Sequence, residues 1–386
     1  MSVQLATRRV ETPTAQLSLR HAEEPLAWEQ NSELCHEVAW QAGAFYLSYA
    51  WLRSWWECYG NESLSLSVVM RGNRPIAFAP FTFSRCRWYG MPVNKVGNLF
   101  NPHACRSDVA LLESERECLS LMLDALDRKS WDVIFLREIP VKSAFLLHLS
   151  GLSKERGLRL HIRPSLDSPY VTIQGTWEEY LSTRSKGFRK SLRLKRNRLR
   201  ASGRKADYDC LVGTADIEAV LPELMVLAQR SWSGQKGTSI ASGRNRAFYE
   251  AVMLKLAARG CLRVWTLRLD GALAAFEIHV AWDRSLSVLK GCYDPHFERL
   301  SPGSLLDVHA TESLFETREF DRYDLLGSDD FYKRRWTNDL ERHVEVFVFN
   351  DRPVSRALET LEFRVRPRLG AVKRGLLRLT KGTEKP

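Results

Sequence analysis

Apolar positions recur along this chain with two periods that take turns. Over 33–42 and 49–59 they fall three and four residues apart, which predicts two helices. In the second, Trp51, Leu52, Trp55, Trp56 and Tyr59 form one stripe, the pattern of a buried face. From 64 to 70 the pattern changes to alternation, turns at Arg71-Gly72-Asn73-Arg74 and resumes over 75–83, which predicts a β-hairpin. The Gly-, Pro- and Asn-rich stretch 90–104 reads as a loop. Beyond it the chain predicts a short strand at 109–112, a helix over 114–126 capped by Ser114, and a buried strand at 131–136. A helix over 143–156 and a strand at 158–163 follow.

The second half opens on Thr176-Trp177-Glu178-Glu179, a capping box that starts a short helix. A basic helix follows, with Phe188, Leu192 and Leu199 as its inner edge. Helices are predicted over 217–231 and 248–259, separated by a polar loop at 234–244. Strands 261–268 and 273–282 flank the Asp270-Gly271 turn, and 285–293 is a third strand. A helix over 304–317, strands at 322–326 and 343–349 and a basic amphipathic tail complete the chain. Hairpin, helix and strand thus recur at a spacing of roughly 190 to 200 residues, the mark of an internal repeat. The expectation is an α/β (α+β) fold in two similar units, 25–165 and 166–350, with a polar leader at 1–24 and a tail at 351–386.

Charge changes this picture more than composition does. A hydrophobic fraction of 44% and a charged fraction of 27% describe an ordinary globular chain. The eight cysteines show no zinc spacing, and neither a signal peptide nor a membrane-spanning apolar run is present, so a cytoplasmic protein is expected. The net charge of +11, however, is matched by the stretch Arg184 to Lys205 alone, with eleven Lys/Arg and no Asp/Glu. The tail from Asp351 adds ten Lys/Arg against four Asp/Glu. The body is therefore mildly acidic and carries two basic elements. Such elements suit an anionic partner through Arg184–Lys205 and a peripheral membrane contact through the tail, although a solvated face gives the same pattern.

The stretch from Asp294 to Ser304 brings Arg299, Pro302 and Gly303 to the start of the 304–317 helix. Unpaired N–H groups and the helix dipole make that point a site for a diphosphate. The corresponding helix of the first unit starts on Glu113, Ser114 and Glu115, which would repel one. Walker A, G-x-S-x-G, H-E-x-x-H and G-x-G-x-x-G patterns do not occur.

Four groups of residues, in order, resemble the CelD-like branch of the GNAT acetyltransferases, which is linked to cellulose or exopolysaccharide biosynthesis. They are Trp177…Tyr180-Leu181…Arg184-Ser185…Phe188-Arg189…Leu192-Arg193, Gly291-Cys292-Tyr293-Asp294-Pro295…Ser301-Pro302-Gly303, Phe320-Asp321…Tyr323-Asp324-Leu325-Leu326-Gly327, and Tyr332-Lys333…Trp336. The Arg299–Gly303 loop is one residue longer than the usual Q/R-x-x-G-x-G/A and contains Pro302. The resemblance implies tandem GNAT-like folds, each a mixed central sheet flanked by helices. It implies acyl-CoA, most simply acetyl-CoA, as cosubstrate, with its diphosphate on Arg299, Ser301, Gly303, Ser304 and Leu305. Glu277 and His279, on one face of a strand, would supply the base, and Tyr293 would protonate the departing thiolate. Asp324 and Lys333 would bind an amine or hydroxyl acceptor such as a saccharide precursor, and no metal is needed. The same plan is similar to the FemABX aminoacyltransferases, which implies charged tRNA as an alternative donor. A non-catalytic accessory protein of polysaccharide biosynthesis, docked through its tail, is the third expectation.

Overall fold

Among the described residues thirteen strands join edge to edge, and the order in which they do so places the site. The computed structural model describes residues 16–22, 29, 31–100, 106–127, 130–231, 234 and 239–368. From one edge the sheet runs β1 (Leu17–Ala22), β2 (Ser63–Arg71), β3 (Arg74–Trp88), β4 (Met91–Asn98), β6 (Val133–Pro140) and β13 (Leu340–Phe349). It continues through β7 (Arg159–Thr172), β12 (Arg322–Asp324), β11 (Ser285–Tyr293), β10 (Ala272–Trp282), β9 (Leu262–Leu269) and β8 (Ala206–Leu211). The two-residue β5 (Ala110–Leu111) lies beside β3.

The repeat is visible in the pairing. In the first unit β4 runs parallel to β6, the strand beyond helix α3 (Glu115–Asp127), over Lys95–Gly97 and Val133–Phe135. In the second unit β11 runs parallel to β12 over Ser285–Ser287 and Arg322–Asp324, with the helix Pro302–Thr317 between them. Each parallel pair is therefore only three residues long before its strands part. The two halves are interlocked as well as repeated. The last strand, β13, inserts between β6 and β7, so the end of the second unit completes the sheet of the first.

Local chemistry explains why many elements form where the alternation predicts. Asp270 and Gly271 both take positive φ, 52° and 83°, the two-residue turn that matches strand twist. Thr176 and Glu179 close a reciprocal capping box, with Thr176 Oγ1 accepting from Glu179 N at 3.2 Å and Glu179 Oε2 from Thr176 N at 2.8 Å. Three segments differ from expectation. Residues 17–22, assigned to the leader, pair with β2 as an edge strand. Residues 91–98, read within a loop, form a strand that pairs with β3 along its length and with β6 over Lys95–Gly97, and Pro92 falls in the part with one neighbour only. Residues 206–211 form β8, which had no sequence assignment. Residues 1–15, 23–24, 101–104, 235–238 and 369–386, parts of the expected leader, loops and tail, lie outside the described residues.

The aromatic stripe of α2 (Tyr49–Tyr59) is core, and it is the core between the units. Trp51 meets Phe248 of helix α8 (Gly243–Ala257) edge-on at 5.1 Å, and Tyr59 donates to Asn245 Oδ1 at 2.7 Å. Trp282 Nε1 donates to the Ala39 carbonyl at 3.1 Å. Each fully buried aromatic contributes about 1.5–3 kcal/mol, so this seam holds the halves firmly. The start of the tail, Pro353–Thr360, docks on the first half, where Glu359 receives Arg159 and His161 while Glu362 just beyond it receives Arg163.

Candidate active site

The strands that part define a wedge. Beyond Ser287 the outer edge of β11 is paired by no described strand, so Val288–Tyr293 keeps backbone donors and acceptors open along it. At the end of this edge a 3₁₀ turn, Pro295–Leu300, leads into helix α9 (Pro302–Thr317). Ser301 takes φ 57° and ψ 53°, a left-handed conformation that costs a non-glycine residue about 1 kcal/mol or more. It turns the chain sharply enough for Pro302 to occupy the first helical position. The first internal bond of α9 is Leu305 N to Ser301 O at 3.1 Å, which leaves the Gly303 and Ser304 amides ahead of it. Tyr293 packs beneath this start, 3.5 Å from the point a Gly303 side chain would occupy.

A cation serves this helix start. Lys195, on the inner edge of α6 (Lys186–Ala201), donates from Nζ to Ser304 Oγ at 2.7 Å. Desolvation pushes its ammonium pKa down, with a further push from Arg335 and an opposing pull from Asp307. Arg198 holds the turn by donating to the Arg299 carbonyl at 2.8 Å, while Arg299 itself is exposed. The start of α3 in the first unit is closed instead: Arg71 and Arg74 both reach Glu113, and Arg71 also donates to Ser114 Oγ at 2.5 Å.

Glu277 and His279 share a face of β10, but that face is buried under α9. Glu277 is 4% exposed and His279 is fully buried, with Oε2 and Nε2 2.8 Å apart. The β10–β11 register slips between Ile278 and His279 because Leu289 of β11 is bulged out, which bends that strand beside this pair. Gly291 lies opposite Glu277, and a side chain there would rest in contact with Glu277 Cγ at 3.4 Å. A third group completes the cluster. Asp307, one turn into α9, lies against Glu277, and two buried carboxyls that close hold a proton between them rather than two charges. Burial pushes both carboxyls up, Asp307 well above the usual range. Burial also drives the His279 imidazole down to about 3, so it is neutral at ordinary pH. The Tyr323 ring lies 5.6 Å from His279.

The remaining expected residues have other partners. The Leu305 side chain is core and its amide already binds Ser301. Asp324, fully buried, receives Arg106 at 2.7 Å, Arg322 at 2.9 Å and the Leu326 amide at 3.0 Å, which spends its lone pairs on the fold. Lys333 is buried, with Nζ donating to the carbonyls of Leu326 at 2.6 Å and Ser328 at 3.3 Å, and so shapes the 326–330 loop. Asp307 and Lys195 were missed by sequence reasoning. Each breaks an apolar helical stripe: Asp307 precedes Ala310, Thr311 and Leu314, all buried, and Lys195 falls between Leu192 and Leu199. Among the described residues no group of three or more His, Cys, Asp or Glu is placed to hold a metal ion.

The chain from 186 to 334, which contains α6, the wedge, α9 and the buried carboxyls, matches the family model described as "Acetyltransferase (GNAT) domain". The chain carries a GNAT acetyltransferase domain. Among solved structures it is similar to FemX, with TM-score 0.59 and 11% identity over 88% of this chain and 100% of that one. It is also similar to the C-terminal domain of a candidate lysylphosphatidylglycerol synthetase from Agrobacterium fabrum, with TM-score 0.54 and 14% identity over 86% and 97% of the two chains. A conserved protein of unknown function from Bacteroides thetaiotaomicron gives TM-score 0.51 and 11% identity over 86% and 100%. No curated protein matches. The fold is thus a tandem GNAT-like α/β arrangement with a large mixed sheet, and the chain is an acyltransferase. No helix among the described residues is long and apolar enough to cross a membrane.

Proposed function

We propose that the chain transfers an acyl group, most simply acetyl, from acyl-CoA to an amine or hydroxyl of a saccharide precursor, as in the CelD-like branch, in the cytoplasm. The observation that carries this reading is the wedge. An open strand edge leads from a buried, proton-sharing carboxyl pair to a helix start that is served by Lys195. The open edge of β11 suits the amides of a pantetheine arm, and the Gly303 and Ser304 amides with Lys195 suit a diphosphate. The acceptor nucleophile attacks the thioester carbonyl and gives its proton to the Glu277–Asp307 pair, and the C–S bond breaks. The departing thiolate takes a proton from Tyr293, which lies on the same strand face two residues beyond Gly291.

Acetyl-CoA at about 100 times its Kd should stabilise the protein by about 2.7 kcal/mol, seen as a rise in Tm. Lys195→Ala should weaken acetyl-CoA binding about tenfold, read by calorimetry, from loss of one charged hydrogen bond. An unchanged Tm at saturating CoA would end this reading. A second reading, aminoacyl transfer from charged tRNA, is favoured by the exposed cations Lys186, Arg189, Lys190, Arg193 and Arg200 on α6. Binding of tRNA that falls steeply with salt, with no response to CoA, would establish it instead.

A further inference from the structure

The short helix α10 (Phe331–Arg334) serves two places at once. Tyr332 lies close enough to Asp307 and Glu277 for their charge to bear on its phenol. Its neighbours Phe331, Arg334 and Arg335 line a cavity of about 640 Å³, a size that suits a small-molecule ligand. Arg184, Ser185 and Asn338 close its other wall.

The charge in this cavity is unbalanced. Its wall carries three arginines and no Asp or Glu. Arg334 is paired with Asp329 from outside the wall. Arg335 lies over the Phe188 ring at 5.0 Å, and Arg184 lies over Tyr180 at 5.4 Å and donates to the Trp336 carbonyl at 2.9 Å. Neither has a carboxylate partner among the described residues. The cavity of 650 Å³ between the units is different. Its two arginines, Arg259 and Arg263, are matched by Glu33 and Glu319 of the same wall. Two guanidinium forks without counter-charge in one concave wall fit phosphate oxygens, which they can grip through paired N–H groups. Phe331, 85% exposed at the rim, adds a flat apolar face that suits a stacked ring.

We propose that this cavity receives the acceptor, and that the acceptor carries a diphosphate and a planar ring, as in a nucleoside-diphosphate-linked substrate. This deepens the acyl-transfer reading and rests on it for the term acceptor. Phe188 of its wall and Lys195, which bonds Ser304, both lie on α6, so one helix links the cavity to the helix start assigned to the donor. The reacting end of a molecule held by Arg184 and Arg335 is then carried past Tyr332 toward the buried carboxyl pair.

Calorimetry on the full chain with uridine diphosphate, inorganic pyrophosphate and uridine tests this. Uridine diphosphate is expected to bind most tightly, pyrophosphate more weakly and uridine not at all. Arg335→Gln should weaken uridine diphosphate about tenfold, the loss of one charged contact. Phe331→Ala should weaken uridine diphosphate about fivefold or more and leave pyrophosphate unchanged. Both side chains have exposed surface and neither makes a hydrogen bond that holds the fold, and unchanged Tm values would confirm folding. The diphosphate should bind equally well to protein saturated with CoA. Displacement by CoA would assign the arginines to the donor and overturn the proposal. So would binding that ignores Arg335→Gln, or an oligonucleotide binding more tightly than the diphosphate, which would make the cavity part of a nucleic-acid surface. Diphosphate binding with the expected variant losses but no CoA binding would keep the site and overturn the acyl-transfer reading.

Discussion

Glu277→Gln should lower kcat by about 100- to 10,000-fold, the usual contribution of a positioned base, while acyl-CoA still binds. The substitution keeps the side chain's size, so the space beneath Gly291 stays filled and the 2.8 Å contact to His279 is retained by an amide. What is lost is the ability to accept a proton. Asp307→Asn should have a smaller effect of the same sign, because Glu277 then titrates alone. The pH profile separates the pair from a single carboxylate. Burial raises both carboxyls, so the base form appears only above the ordinary carboxylate range, and kcat should rise with pH through that raised value. In Asp307→Asn the protonated neighbour that draws Glu277 down against burial is replaced by a weaker amide donor, and the rising limb should move to higher pH. His279, held near 3, is neutral throughout and should contribute no limb of its own near its usual value. A Glu277→Gln enzyme with wild-type kcat would show that the cluster is a satisfied piece of core and nothing more.

Stability carries a matching sign. A carboxyl raised by folding destabilises the folded state once pH passes the unfolded value, so this cluster is held at a cost that grows toward neutral pH. Such an arrangement is what a tuned base requires, and it is the reason a buried carboxyl pair in a wedge reads as function rather than as structure.

The parts of the site that depend on local chemistry were legible in the sequence. The alternation of β10 placed Glu277 and His279 on one face, and Pro302-Gly303 after a strand announced the helix start. Burial of that face was not legible, because it depends on α9 folding back over β10. Lys195 looked like one more cation in a basic run, yet its position between Leu192 and Leu199 turns it inward. The Glu277–Asp307 contact joins residues 30 apart across β11 and the 3₁₀ turn, and only the packing of α9 on β10 brings them together. β4 was hidden by Pro92, Asn94 and Gly97, whose turn propensity is overridden by pairing with β3 and, at Gly97, with β6 as well. The insertion of β13 between β6 and β7 has no local signal at all, since nothing in an apolar strand names its neighbours.

That interlocking makes the second large effect. Arg106→Ala should destabilise the protein by about 3–5 kcal/mol at neutral pH, because it leaves the buried Asp324 carboxylate short of a partner. Arg106, 9% exposed, comes from the first unit and meets Asp324 of β12 at 2.7 Å and Glu341 of β13 at 3.0 Å. Arg322 meets the same two carboxylates at 2.9 and 2.7 Å. Burial acts to raise the Asp324 carboxyl, but Arg106 and Arg322 together outweigh it and hold the group below its ordinary value. A depressed carboxyl stabilises the fold above its unfolded value and loses that contribution as pH falls through the folded one. Without Arg106 the balance tips toward burial, Asp324 takes up a proton more readily, and the variant's deficit should shrink as the solution becomes acidic. Urea midpoints at pH 7 and pH 4.5 measure this directly, with the larger gap expected at pH 7. Asp324→Asn in the Arg106→Ala background should recover part of the loss, a non-additivity expected only of groups in one network. A deficit of equal size at both pH values, with additive double substitutions, would mean that Arg106 acts through packing, and the charge network would not be what ties β12 and β13 to the first unit.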